Sequence, residues 1–377
     1  MKRRFKLFIA IVVVLCLLSA CAPTYLTRDK FYTYNDPQKN DQQENMMSSL
    51  NVEQQISLFE GTVLFYDSDL DIAICSQPVR NNDGLNSELV IFKDESIVTL
   101  SQRSNQYVSA RIAADTSEIF YVEKNNILKK TILSKIDFKG AKKTQLVQID
   151  INSTLPYFVT HDGVLFYVNE KNEIISIDQN NNEKTLHKLP LKNSVRKIAY
   201  CEDDDFIIFL ANVAQEGGNS SNILYRLNLQ GNSSLGEIDI NVSDFVLSEK
   251  LHSTSYVKST MSGMDHIYIY DHESALRKFL LSNNIERISI SSEGKYIFFI
   301  AKITEGLPTQ SIWLANFETG TAVQLTVNTK ITGQIYSTKA EDGIIFTESE
   351  NISNSEMDQV LRTYKMMYSF NNSIGDN

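Results

Sequence analysis

The chain has 377 residues, with 46 Asp and Glu against 36 Lys and Arg, and a formal net charge of −10. An acidic chain is repelled by nucleic-acid phosphates and by anionic lipid. No long Lys/Arg cluster interrupts that balance, so the composition argues against nucleic acid as a partner.

Lys2, Arg3, Arg4 and Lys6 form a positive N-terminal region, followed by an apolar run from Leu7 to Leu18. That run is too short to cross about 30 Å of hydrocarbon as a helix, and it has the length of a secretory signal core. Leu18-Ser19-Ala20-Cys21 comes next and resembles the lipobox of bacterial lipoproteins. The resemblance implies a signal peptide over residues 1–20 and a diacylglyceryl group, palmitate or similar, on the Cys21 thiol. It also implies a location at the cell membrane, lipid-anchored on the extracytoplasmic face. A cleaved secretory signal with an incidental cysteine is the alternative. Two acyl chains, at about 0.8 kcal/mol per buried CH₂, anchor stably where one does not. Removing the four cations of the signal would leave a charge of −14. The lipid, rather than surface charge, would then hold the protein at a membrane.

Residues 21–57 are expected to be the lipidated N-terminus and a flexible tether, because Ala22 to about Gln55 is too rich in Asn, Gln, Asp and Lys to bury an apolar face. A short helix over Met46 to Leu58 could end it. From residue 58 the texture changes to short runs of Ile, Val, Phe and Tyr between Asn, Asp, Ser and Gly clusters, the pattern of an all-β protein. One strand recurs, as Ile72–Cys75, Ile119–Val122, Leu165–Val168, Ile207–Leu210, Ser255–Lys258, Ile297–Ile300 and Ile344–Thr347. Its second residues are Ala73, Phe120, Phe166, Ile208, Tyr256, Phe298 and Ile345, at steps of 47, 46, 42, 48, 42 and 47 residues.

The turn before this strand recurs as His161-Asp162-Gly163, Ser292-Glu293-Gly294 and Glu341-Asp342-Gly343, where glycine supplies the positive φ of a tight hairpin. A first strand precedes the turn, as in Val195–Tyr200 and Ile285–Ile290. A third follows, as in Leu89–Phe92, Ile174–Ile177, Ile223–Leu227, Ile267–Tyr270 and Ile312–Ala315. A fourth is visible in Ser96–Leu100 and Ala322–Thr326. Four strands in about 40–50 residues make a β-propeller blade. Seven blades fit residues 58–370, with six or eight as alternatives and a tail over 371–377. Gly61–Tyr66 is either the inner strand of the first unit or the segment that closes the ring.

Within Ile288–Thr326, the turn Ser291-Ser292-Glu293-Gly294-Lys295, the strand Tyr296–Phe299, Ser311-Ile312-Trp313-Leu314, Glu318-Thr319-Gly320 and Gln324-Leu325-Thr326 resemble the repeat of TolB-like propellers. Ser292-Glu293 stands where that repeat has Pro-Asp. The resemblance covers one blade and implies a fold, not a role.

Chemistry-bearing motifs are absent from the sequence. It lacks Gly-x-Ser-x-Gly, His-Glu-x-x-His and a Walker loop, so no catalytic residue is assigned and no cofactor is expected. Cys75 and Cys201 each end an apolar segment and read as buried thiols. A disulfide between them is the alternative, and two cysteines offer too few ligands for a metal. The acidic run Glu202-Asp203-Asp204-Asp205 reads as a solvated hairpin tip rather than a calcium loop, since it lacks spaced ligands and a glycine. His161, His187, His252, His266 and His272 are expected at the surface. Tyr268, Tyr270 and Tyr296 are expected to pack between blades rather than bind sugar or peptide. Two functions remain. The preferred one is a membrane-anchored binding scaffold for an envelope protein, peptide or glycan. The other is an exported polysaccharide lyase or hydrolase, whose mouth would carry buried carboxylates, or a His with a Tyr or Arg.

Overall fold

The computed structural model describes residues 50–370 apart from 82–83, 105, 191–192, 215–218, 231–233, 261–263, 303–309, 328 and 352–358. The expected signal over 1–20, Cys21, the expected tether up to residue 49 and the expected tail over 371–377 lie outside the described residues.

Among the described residues, twenty-eight strands form seven four-stranded antiparallel sheets. Blade 1 is β2 (Thr62–Asp67), β3 (Ile72–Asn81), β4 (Gly84–Lys93) and β5 (Ser96–Ser104). Blade 2 is β6 (Gln106–Ala113), β7 (Glu118–Asn125), β8 (Lys130–Asp137) and β9 (Lys143–Asp150). Blade 3 is β10 (Tyr157–Val159), β11 (Leu165–Val168), β12 (Glu173–Ile177) and β13 (Glu183–Lys188). Blade 4 is β14 (Asn193–Cys201), β15 (Phe206–Ala214), β16 (Ser220–Asn228) and β17 (Ser234–Ile240). Blade 5 is β18 (Val242–Ser248), β19 (Ser253–Lys258), β20 (Asp265–Asp271) and β21 (Arg277–Asn283). Blade 6 is β22 (Ile285–Ile290), β23 (Tyr296–Lys302), β24 (Gln310–Asn316) and β25 (Ala322–Gln324). Blade 7 takes β26 (Ile331–Ser337), β27 (Gly343–Asn351) and β28 (Gln359–Phe370) from the end of the chain and β1 (Leu50–Glu60) from its beginning.

The second strand of every blade is the recurrent apolar run, and its chemistry follows from its position. Along β15, Phe206, Ile208 and Leu210 enter a cluster with Phe245 and Tyr256 of blade 5. The intervening Ile207, Phe209 and Ala211 enter a cluster with Phe166 and Ile174 of blade 3. A strand covered on both faces has no solvent side to alternate with, so it reads as continuous hydrophobe. Fully burying one such side chain is worth about 1.5–3 kcal/mol. Seven apolar clusters lie among the described residues, one at each junction between neighbouring blades, including blade 7 against blade 1.

The turns between first and second strands are built in two ways. Gly163 and Gly294 have φ of 90° and 80°, as the hairpin reading requires. The third glycine differs. In the last blade Glu341 takes the positive φ of 55°. Gly343 is instead constrained by space, since a Cβ there would meet the Met366 carbonyl oxygen at 2.8 Å. Blades 1 and 4 share another device. Tyr66 donates to Asp71 at 2.6 Å and Tyr200 to Asp205 at 3.0 Å, and both aspartates have positive φ.

Ring closure corrects the expectation for the tether. Residues 50–57 are neither tether nor helix. They belong to β1, which pairs antiparallel with β28 from Leu50 opposite Phe370 to Glu60 opposite Arg362. Leu50, Leu58 and Phe59 pack against the ring, but most side chains between them are exposed, so that stretch is held by its backbone and lacks the pattern of a buried strand. Thr62–Asp67 is the inner strand of blade 1, as one of the two readings had it. The seam is fastened by the Gly61 amide donating to the Leu361 carbonyl at 2.8 Å and by Thr363 Oγ1 donating to the Gly61 carbonyl at 3.0 Å. Cys75 and Cys201 are both buried and free, in blades 1 and 4.

Candidate binding channel

The first strands β2, β6, β10, β14, β18, β22 and β26 stand around the axis, and all seven line one cavity of about 350 Å³. A second cavity of about 330 Å³ opens where these strands begin. Among the described residues, every first-to-second strand pairing except β10–β11 carries a register shift. A bulge re-aims side chains, and the one between Val195 and Lys197 leaves Arg196 and Lys197 both on the channel wall.

The strand-start cavity is cationic. Arg111, Arg196, Lys197 and Arg287 line it, and among the described residues no Asp or Glu does. Arg111 lies over the Phe65 ring, 5.0 Å from its centroid. Lys197 donates to Asp244 Oδ1 at 2.7 Å and to the Phe245 carbonyl at 2.6 Å. Arg287 donates to the carbonyls of Gly333 and Ile331 in the next blade and lies 3.5 Å from Glu286. Arg196 is exposed. Between these cations stand two tyrosines. Tyr336 donates to the Leu64 carbonyl at 2.8 Å. Burial pushes the phenols of Tyr157 and Tyr336 up to about 12, against the pull of Arg111. Both therefore stay protonated at neutral pH and serve as donors rather than bases.

The turn-side mouth is mixed in charge, with His161, Glu202 and Glu249 on its wall. Burial raises the Glu249 carboxyl above its usual range. The Glu202 charge adds to this, and His161 opposes it.

The histidines do not all lie at the surface. His161 is exposed, but His266 is half-buried against Ser282 at 2.8 Å, and the His272 side chain is fully enclosed between blades 4 and 5. Burial and Arg226 push the His272 imidazole down to about 4. Tyr268 and Tyr270 pack with the blade 4–5 cluster and Tyr296 with the blade 6–7 cluster, as packing residues should. The channel cations escaped the sequence reading because three separate blades supply them. The only local signal was the adjacent pair Arg196-Lys197 in a first strand.

Fold and channel together define a seven-bladed β-propeller with a cation-walled axial cavity. No protein-family model matches the sequence, and no curated protein matches it. Among solved structures, the chain is similar to an oligogalacturonate lyase from Vibrio parahaemolyticus, with TM-score 0.56 and 14% identity over 84% of this chain and 98% of that one. It is equally similar to the β-propeller domain of the trilobed protease from Pyrococcus furiosus, with TM-score 0.56 and 12% identity over 85% and 99% of the two chains. That domain has an open velcro topology, whereas the present ring is fastened by β1. TolB from Acinetobacter baumannii also matches, at 13% identity over 78% of this chain and 79% of that one, but its TM-score of 0.45 is too low to argue from. At these identities the likeness shows the fold alone.

Proposed function

We propose that this propeller is a non-enzymatic scaffold, held at the extracytoplasmic face of the cell membrane by lipid on Cys21, whose channel takes an anionic segment of a protein, peptide or glycan partner. The anchor reading is supported by the order of charge, apolar run, small pair and cysteine over residues 2–21. The binding reading is carried by one observation: four cations, of which Lys197 is already paired with Asp244, and among the described residues no carboxylate line the strand-start cavity of a chain whose net charge is −10. Concentrating one sign of charge in a low-dielectric cleft focuses the field on a ligand of the opposite sign. Protonated Tyr157, whose hydroxyl has no hydrogen-bond partner, adds a neutral donor.

The test is titration of the detergent-solubilised full chain with oligogalacturonate and with polyglutamate, each against neutral dextran. The expected result is salt-sensitive binding of a polyanion, lost in Arg196→Glu, whose exposed side chain can be reversed without disturbing the core. Equal affinity for dextran, or unchanged polyanion binding by the variant, would refute it. A second reading, an exported lyase or hydrolase, is favoured by Glu249, Glu202 and His161 at the opposite mouth. It predicts new chain ends during incubation with oligogalacturonate, and their loss in Glu249→Gln.

A further inference from the structure

Outside the channel, one group of side chains among the described residues has the composition and spacing of a metal site. Cys201 is the last residue of β14, and Asp204 lies in the turn that follows, both in blade 4. His272 follows β20 in blade 5. Their donor atoms all lie within 4.8 Å of one another. Cys201 Sγ is 3.9 Å from Asp204 Oδ2, and His272 Nδ1 is 3.9 Å from the same oxygen. Bonds of about 2.0–2.3 Å to a tetrahedral zinc ion put its ligand atoms about 3.3–3.8 Å apart, so the two 3.9 Å spacings nearly fit and the Cys201–His272 pair must close by up to about 1 Å.

The second observation is an orphan. The His272 side chain has 0% exposure, and its Nδ1 has no hydrogen-bond partner. At 3.9 Å the Asp204 oxygen is too far to supply one. The other ring nitrogen, Nε2, lies 2.9 Å from Thr254 Oγ1. If Nε2 carries the proton and donates it to Thr254, the Nδ1 lone pair faces Cys201 and Asp204. A ligating histidine is typically held in this way by an outer partner on its second nitrogen. The ring is also steadied edge-on by Phe206, at 4.9 Å between centroids. Nearby, Arg226 donates to the His272 carbonyl at 3.0 Å rather than to the ring. Asp204 retains 34% side-chain exposure, which gives an ion a way in from solvent.

We propose that Cys201, Asp204 and His272 bind a divalent zinc-class cation that clasps blade 4 to blade 5. Thiolate, imidazole and carboxylate are the mixed soft and borderline donors that zinc accepts. On binding, the Cys201 S–H bond breaks, its proton leaves to solvent, and the sulfur pair forms the metal bond. Thiolate and carboxylate together then balance the two positive charges of the ion. Water completes the fourth position on the Asp204 side. The clasp is independent of the channel and of the function proposed for it.

The test is titration of the chelator-treated full chain with Zn²⁺, and with Co²⁺ as a spectroscopic stand-in. One equivalent should bind with release of a proton, and cobalt should show the visible bands of a tetrahedral thiolate complex. Cys201→Ser should abolish the thiolate band, and Asp204→Asn, in the partly exposed turn, should weaken binding at least tenfold. Thr254→Val should weaken it about 10–100-fold by releasing the ring. Cys75→Ser, which changes the other buried thiol, should leave it unchanged. Absence of stoichiometric uptake by the unaltered chain would overturn the proposal. So would a thiolate band that survives in Cys201→Ser, or full affinity in Asp204→Asn.

Discussion

Asp239→Asn is expected to loosen the junction between blades 4 and 5 by about 3 kcal/mol. Asp239 sits in β17 at 5% exposure. It accepts from Lys258 Nζ at 2.7 Å, Tyr256 Oη at 2.7 Å and the Ile240 amide at 2.8 Å. Arg277 Nη1 lies 3.2 Å away. Lys258, Tyr256 and Arg277 all belong to blade 5, so one carboxylate gathers two cations across the junction. Breaking a buried pair by removing one partner costs about 3–5 kcal/mol, because the remaining charge stays uncompensated. The Lys258 and Arg277 side chains keep 29% and 27% exposure, so water recovers part of that loss and the low end applies. For a body of roughly 320 residues the unfolding entropy is about 0.7 kcal/mol/K, so the shift in Tm should be about 4–5 °C.

The pH dependence gives an independent check. Burial alone would raise the Asp239 carboxyl, but hydrogen bonds from Lys258 and Tyr256 outweigh it and leave the group below its usual range. A folded pKa below the unfolded one gives stability that is complete above about pH 4 and is lost as pH falls through the folded value. The gap between wild type and variant, read by thermal denaturation, should therefore be largest near neutrality and shrink in acid. A gap under about 1 kcal/mol at neutral pH, or one that widens in acid, would refute the reasoning.

Other outcomes follow from the seam and the proposed anchor. Gly61→Ala should cost about 2 kcal/mol in urea unfolding, since Gly61 has φ of 144° and a Cβ would come 2.5 Å from the Ser76 carbonyl oxygen. A variant as stable as wild type would show that the seam can shift to admit it. Deleting residues 50–60 should bare the edge of β28 and yield larger species on size-exclusion chromatography. A monomeric product of unchanged melting temperature would count against closure by β1. Cys21→Ser should move the protein from the membrane to the soluble fraction, and retention on the membrane would end the lipid-anchor proposal.

The parts of the fold that were legible are those where one physical demand acts on consecutive residues. β15 and β23 are covered on both faces, so their sequences leave little choice. Outer strands such as β13, with partial burial confined to Leu186 and His187, carry charges at half of their positions and lack a distinct pattern. β8 escaped notice because Lys130 and Lys135 interrupt its apolar residues, although Ile132, Leu133 and Ile136 are buried. β1 was hidden for a different reason. Its partner is made by the other end of the chain, and backbone hydrogen bonds select for no side chain. Convergence limited the sites in the same way. Cys201 and Asp204 stand close in sequence, but the imidazole that gives them chemical meaning arrives from the neighbouring blade. Arg111 and Arg287 likewise meet the Arg196-Lys197 pair only because the ring brings distant first strands together.

The seam also sets a timetable for folding. The strand that closes the ring is synthesised before the other described strands and its partner after them, with 302 positions separating Thr363 from the Gly61 carbonyl it caps. At about 5–20 residues per second that is a wait of roughly 15–60 seconds. During it, the backbone of residues 50–60 stays open to any edge it meets. An uninterrupted apolar strand left waiting that long would seed aggregation, whereas Asn51, Glu53, Gln54 and Gln55 break up the apolar residues of this one and so lower that risk. Its polarity, which conceals it in the sequence, is also what allows it to wait.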